Sequence, residues 1–453
     1  MEHKQLKIDL QKDTGLTLKP YHGVTNGPLY SAGNKSLVDE YKEIGVPSVR
    51  LHDTYGAYTR LVVDVSKIFP VFDADENDPE NYYFAHTDQL LQAIIDSGAE
   101  IVYRLGESID HSIYAHSAKP PKDFEKWARI CINMIRHFND GWADGHRFNI
   151  RYFEIWNEPE GVNTYGRQTM WRGGTLESAF ELYKVIALKI KEYDPNLKVG
   201  GMSFISCNQP MEKFVKFCIE NKLPLDFVSN HSYGWSAIRL MPRNETVKKL
   251  LDENGYDVEW LLDEWNFYDD ISWQRKEGES LPMPPPTKEQ TRKVYEDCQG
   301  LPGATYCAMM FTFLQGSVYT HAHYYDPQPG GSMNALFDPY GIKRKGFYVF
   351  KAYGEMYRGN RTIREKRLDF DKPYRAFTAL ATDRYVLVGN YEQTEKTVAL
   401  DLTGADGTYT GYEILLVDET HDLTPVQAGT LVGGGAQTEF TMQPFSVAFV
   451  KLK

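Results

Sequence analysis

At 453 residues the chain exceeds what one hydrophobic core usually supports, so a large domain with a smaller companion is expected. Its net charge of −12 excludes nucleic-acid backbones and anionic membrane surfaces as main partners, since both reward clustered cations; neutral ligands stay open. Aromatic residues make up 13% of the chain, more than a soluble core needs, and the surplus suits stacking against sugar rings.

In chain order, Leu6, Ile8 and Leu10 alternate with polar residues as in a half-buried strand, and a first barrel strand is expected through Lys19, His22 and Val24. A helix over 35–44 leads to a second strand, 47–53, with Arg50 and His52 at its end. A helix over 86–97, closed by Gly98, leads to a third, 100–107, which carries Arg104. Pro120-Pro121 opens an amphipathic helix with Phe124, Trp127, Cys131, Met134, Ile135 and Phe138 on one face. The fourth strand, 151–158, ends in Asn157-Glu158-Pro159.

A helix over 176–193 precedes a fifth strand, 198–202, whose paired glycines allow close backbone approach. Helix 210–221 leads to a sixth strand, 226–233, with His231 and Tyr233. Helix 245–254 leads to a seventh, 259–267, with Asp263-Glu264. The 268–286 loop is long and charged, helix 287–299 follows, and an eighth strand is expected over 304–313, including Phe311. An aromatic loop over 318–338 and a last helix over 343–357 complete this part.

From about Gly359 the texture changes to short alternating runs at 374–381, 384–391, 396–402, 409–417 and 440–452, with a hairpin turn at Thr382-Asp383-Arg384. The fold class expected is therefore α/β: a (β/α)8 barrel over 15–358, and a β-sandwich formed by 359–453 together with 1–14.

Cys131, Cys207, Cys218, Cys298 and Cys307 are odd in number and scattered, which reads as reduced core residues. The polar amino terminus lacks a secretory signal and no apolar run approaches a membrane span. As written, the sequence predicts a cytoplasmic protein, or a periplasmic or secreted one if a signal peptide was removed; oligomeric state is left open. His321-Ala322-His323 lacks a third ligand at recognisable spacing, so no metal and no cofactor is expected.

Glu158 and Glu264 each stand at the carboxyl end of a barrel strand, the face where such folds gather their chemistry. Two carboxylates across one cleft are the minimum apparatus for cleaving a glycosidic bond, one donating a proton and the other attacking the anomeric carbon. Glu158, beside Trp156 on an apolar strand, is the better acid and Glu264 the better nucleophile. Tyr233 is placed to hold the nucleophile, His231 to bind a sugar hydroxyl, and Arg50 to orient a carboxylate. Glu154, two residues before Trp156, is expected to point away from this face. A barrel that binds carbohydrate without cleaving it is the reading from another class.

The segments 153–159, 120–127, 196–201 and 226–233 resemble glycoside hydrolase family 39, which includes β-xylosidases and α-L-iduronidases. The resemblance implies retaining hydrolysis, with Glu158 as acid/base, Glu264 as nucleophile, Asn157 on the sugar 2-hydroxyl, and Arg50 and Tyr233 on the nucleophile. It departs from the xylosidase-type pattern at Arg104, where a glutamate is expected, and at Phe311, where a tryptophan is expected. Both changes fall near the non-reducing sugar, so an altered sugar site, or a hydrolase of another family in the same clan, follows.

Overall fold

The computed structural model describes residues 2–30, 35–54, 62–109, 118–162, 166–234, 241–267, 287–329, 334–371 and 375–453. The expected 268–286 loop lies outside them. Eight parallel strands close into a barrel in chain order: Gly23–Thr25, Ser48–Leu51, Glu100–Leu105, Tyr152–Ile155, Lys198–Phe204, Phe227–Gly234, Glu259–Phe267 and His321–Tyr324. Strand closure satisfies every edge, and alternation sends one set of side chains inward and the other to the surrounding helices. Val102, Tyr152, Phe227 and Leu261 make a small apolar layer of their own, above which the inward positions turn polar.

The helices fall where their periodicity puts them. Leu176–Tyr193 has the expected bounds. Phe124–Asn139 starts just after Pro120-Pro121, with Asp123 as its cap accepting from the Lys126 amide at 3.0 Å. On the fifth strand a Cβ at Gly200 would stand 2.2 Å from the Phe227 carbonyl oxygen, so only glycine lets the fifth and sixth strands approach this closely.

The eighth strand is the main correction. Residues 304–313 belong to a helix, Leu301–Phe313, and the barrel closes instead through His321–Tyr324. Every residue from Gly303 to Phe313 is buried, so the helix has no polar face to reveal a period of 3.6. An apolar run of that kind cannot be told from a buried strand by pattern alone. Phe311 is accordingly a packing residue rather than a sugar contact. Its ring stacks on Tyr353 at 4.2 Å and meets Phe350 and Trp265 edge-on.

Two sheets follow the barrel. Six antiparallel strands run in the order Glu365–Asp371, Arg375–Ala381, Tyr385–Tyr391, Ser446–Leu452, Gly411–Val417 and Asp422–Thr430. The expected run at 440–452 is two strands, Ala436–Met442 and Ser446–Leu452, which lie in different sheets. The second sheet joins Glu2–Asp9, Lys396–Thr403 and Ala436–Met442. Leu6 and Ile8 register against Leu400 and Leu402 and share one core with Phe377, Val388, Ile414 and Val450 of the larger sheet. The opposite face of that larger sheet, with Leu380, Leu387 and Phe449, belongs to the main core and covers the buried helix. All five cysteines are free thiols, Cys207 half-buried and the others buried. Among the described residues no helix is long and apolar enough to cross a membrane.

Because Phe311 fills the main core, Phe311→Ala is expected to lower the unfolding free energy by about 3–5 kcal/mol, read from urea denaturation. Trimming an exposed ligand contact would change it by under about 0.5 kcal/mol.

Candidate active site

Arg50 points from the second strand into the barrel and is fully buried. Its Nε donates to Glu154 at 2.8 Å and its Nη1 to Glu264 at 2.6 Å. Its Nη2 donates to Asn157 and to Ser203, both at 2.7 Å. Burial works against the guanidinium charge, but Glu154, Asp263 and Glu264 outweigh it and keep Arg50 charged. One planar fork therefore fixes side chains from the fourth, fifth and seventh strands.

Glu154 corrects the expectation that it faces away from this end. Alternation counted back from Trp156 misleads because Trp156 has left the strand, with φ at 67°. Its indole packs against Trp127 and Trp171 among the outer helices rather than over Glu158. Counted from inward-facing Tyr152, Glu154 points inward as it should. Glu158 also adopts a left-handed φ of 42°, and backbone in this region persists only where surrounding structure enforces it. The Glu158 amide donates to the Ser203 carbonyl at 3.0 Å, which holds the turn.

Consecutive strand residues should face opposite ways, yet Asp263 and Glu264 both face inward. The register of the seventh strand shifts between Leu262 and Glu264, and this bulge re-aims Glu264 into the mouth. Tyr233 donates to Glu264 Oε2 at 2.5 Å. His231 Nδ1 lies 2.7 Å from Glu158 Oε1 and 3.4 Å from Glu264 Oε2, and its Nε2 lies 2.6 Å from Ser203 Oγ. Ser203 in turn donates to Asp263 at 2.5 Å, and Ser229 donates to Glu154 at 2.6 Å. Ser203, Ser229, Glu154 and Asp263 are members of the site that the sequence reading missed. Inward strand positions two residues apart were the available signal.

Burial pulls the His231 imidazole down, but Glu264, Asp263 and Glu158 outweigh it and raise its pKa to about 9. Burial and Glu154 raise Asp263 well above the usual carboxylate range, whereas Arg50 overcomes burial and lowers Glu154. Glu154 is thus pushed toward its charged form and Asp263 toward its protonated one. Carboxylate oxygens of Glu158 and Glu264 and a ring nitrogen of His231 all lie within 4.8 Å of one another. Such a trio could hold a cation, but the imidazolium between them and the guanidinium already on Glu264 compete with one.

His52 and Arg104 sit in an adjoining network. His52 Nε2 is 3.3 Å from Asp53, and Arg104 Nη2 donates to Asp64 at 2.7 Å and to Ser108 at 3.2 Å. Arg104 is fully buried, and its Nε and Nη1 meet no hydrogen-bond partner among the described residues. Burial raises Asp53 to about 8; Glu264 adds to the rise, while Arg104 and the Ile109 amide oppose it. His321 and His323 lie in the barrel wall, His323 2.9 Å from Ser48 Oγ.

Between about pH 7 and 9 the folded protein holds protons on Asp53 and His231 that an unfolded chain has already released. Both folded values are raised, so stability falls as pH climbs through this window, by on the order of 2–4 kcal/mol. Below pH 7 the buried His22, held neutral to about 3, acts in the opposite sense. Thermal melting across pH 7 to 9 should show the decline, and Asp53→Asn should reduce it.

The family model "Glycosyl hydrolases family 39" matches residues 33–268. A β-xylosidase of Geobacillus stearothermophilus is 27% identical over 247 residues, 51% of this chain and 45% of the relative. A β-xylosidase of Caldicellulosiruptor saccharolyticus is 30% identical over 167 residues, 34% of this chain and 32% of the relative. The matched stretch therefore spans less than half of either relative's length. The crystal structure of a glucosidase from Croceicoccus marinus shares the fold, with a TM-score of 0.78 at 18% identity, covering 100% of this chain and 99% of that one. With its barrel, its paired strand-end glutamates and a family match over more than half its length, the chain belongs to glycosyl hydrolases family 39.

Proposed function

We propose that the protein is a retaining glycoside hydrolase that cleaves O-glycosidic bonds in oligo- or polysaccharides through a covalent glycosyl-enzyme. The observation that carries this reading is the facing pair: an oxygen of Glu158 and one of Glu264 stand within 4.8 Å of each other, which supports the closer ~5–5.5 Å carboxyl spacing of double displacement over the ~6.5–9.5 Å of inversion. Glu264, with hydrogen bonds from Arg50 and Tyr233 on its two oxygens, is held and aimed as a nucleophile needs.

In the first step Glu264 attacks the anomeric carbon while the bond to the leaving oxygen breaks and Glu158 delivers its proton there. In the second, Glu158 takes a proton from water, which attacks the same carbon and releases Glu264. Side-chain exposures of 17% for Glu158 and 6% for Glu264 fit an acid facing the leaving group and a nucleophile on the floor. Asn157 accepts from Arg50 through Oδ1, which leaves its Nδ2 to donate to a sugar 2-hydroxyl. The imidazolium of His231, hydrogen-bonded to Glu158, offers positive charge beside both carboxylates.

The relatives named β-xylosidase support a xylosidase-like activity, but Arg104 favours a different sugar. A buried guanidinium whose Nε and Nη1 have no partner among the described residues is costly until an oxygen completes it, so a hydroxyl or carboxylate on the sugar is the expected partner. His52, paired with Asp53, is the further sugar contact this reading assigns.

Glu158→Ala and Glu264→Ala should each cut hydrolysis of aryl glycosides by at least ~10³-fold if both carry the chemistry. Azide should rescue Glu264→Ala to a glycosyl azide of inverted configuration. Full activity in either variant would sink these assignments, and failure of any activated fluoro-sugar in a panel to label Glu264 would favour a barrel that binds without cleaving.

A further inference from the structure

Three side chains converge in the outer layer, away from the barrel mouth. Asp88 lies in the helix Ala85–Ser97, His137 near the end of Phe124–Asn139, and His146 in the connection to the fourth strand. His137 Nε2 stands 3.0 and 3.2 Å from the two Asp88 oxygens, and His146 Nε2 stands 3.5 Å from Asp88 Oδ2. One donor atom from each residue lies within 4.8 Å of the other two.

Both rings are held in place. Phe84 stacks on His137 at 3.5 Å and 5°, and Phe148 stacks on His146 at 4.3 Å and 10°. His137 Nδ1 is 2.9 Å from the Trp142 carbonyl oxygen, which can only accept, so Nδ1 carries a hydrogen and Nε2 is left for another partner. The connection is shaped to return His146 onto His137. Ala143 and Asp144 take φ values of 56° and 54°, and the His146 amide donates to the His137 carbonyl at 2.7 Å. At Gly145 a Cβ would stand 2.2 Å from that same carbonyl oxygen.

A tetrahedral ion with bonds of ~2.0–2.1 Å sets its ligand atoms ~3.3–3.4 Å apart; the two histidine–Asp88 separations of 3.0–3.5 Å bracket that edge, and the two histidine nitrogens lie within 4.8 Å of each other. The geometry points to a divalent transition-metal site formed by Asp88, His137 and His146, with Zn2+ as the matching ion. Two imidazoles and a carboxylate suit Zn2+ better than Ca2+ or Mg2+, which prefer all-oxygen shells. Asp88 and His146 keep part of their side chains exposed, which gives the ion an entry path and solvent at its fourth position. The site lies toward the start of the fourth strand, whereas Glu158 follows its end, so the metal acts as a clamp on two helices and a loop rather than in the chemistry.

The test is calorimetric titration of ZnCl2 into chelator-treated, tag-free protein, with thermal melting alongside. One equivalent should bind and raise the melting midpoint by ~2 °C or more. His146→Ala and Asp88→Asn should each weaken binding at least ~10-fold and lose the rise, with glycoside hydrolysis unchanged. Glu264→Gln should bind Zn2+ as the parent does. In the parent protein Co2+ should give the visible absorption of a tetrahedral complex, a readout independent of whether a variant folds. No saturable uptake, uptake unaffected by both Asp88→Asn and His146→Ala, or uptake lost in Glu264→Gln would overturn the proposal, leaving Asp88 and His137 an ordinary ion pair.

Discussion

The site is organised by one buried cation. Arg50 sits where four barrel strands converge and spends its donors on Glu154, Asn157, Ser203 and Glu264, each within 2.8 Å. A charge taken out of water is costly unless its partners are close and well aimed, and breaking such a set by removing one member costs about 3–5 kcal/mol. The guanidinium plane also dictates position, since its donors diverge at fixed angles and a lysine could not reach the same acceptors together. The arrangement that makes Arg50 tolerable is the one that puts Glu264 and Asn157 where a sugar would need them.

Charge balance extends the same constraint outward. Around the Arg50 guanidinium and the His231 imidazolium stand Glu154, Glu158, Asp263 and Glu264, more acids than two cations can neutralise. Part of that excess is eased at Asp263, which burial and its neighbour Glu154 push toward its protonated form. Ser203 ties the parts together, accepting from Arg50 and donating to Asp263 while its oxygen meets His231. Backbone irregularity underlies each of these placements. The bulge before Glu264 and the left-handed Glu158 and Ser203 each help aim a side chain into the mouth, while the left-handed Trp156 sends its indole outward against Trp127 and Trp171.

The same irregularities decide how much was legible in the sequence. Seven of the eight barrel strands and the flanking helices are readable because each has one apolar face, and period 2 or 3.6 survives in the residues. The facing of Glu158 and Glu264 follows from strand order, which the barrel enforces. What the pattern hides is everything buried on all sides or set by a kink. Leu301–Phe313 has no polar side to betray its helical turn, so Phe311 was assigned to a sugar it does not meet. Glu154 was turned the wrong way because Trp156 served as the reference for alternation after it had left the strand. Strands Glu365–Asp371 and Asp422–Thr430 escaped notice since both lie at sheet edges, where polar residues dilute the alternation.

The pairing of Glu2–Asp9 with Lys396–Thr403 bears on how the chain is made. Lys396 and Glu2 are joined by an ion pair across 394 residues of sequence, so the strand Glu2–Asp9 has no neighbour to hydrogen-bond until that much more of the chain has been made. At ~5–20 residues per second that wait lasts on the order of 20–80 s, during which Leu6, Ile8 and Leu10 are exposed. The alternating Glu2, Lys4, Lys7 and Asp9 charges beside them are suited to keep a nascent, orphaned strand from sticking to its own kind until its berth exists.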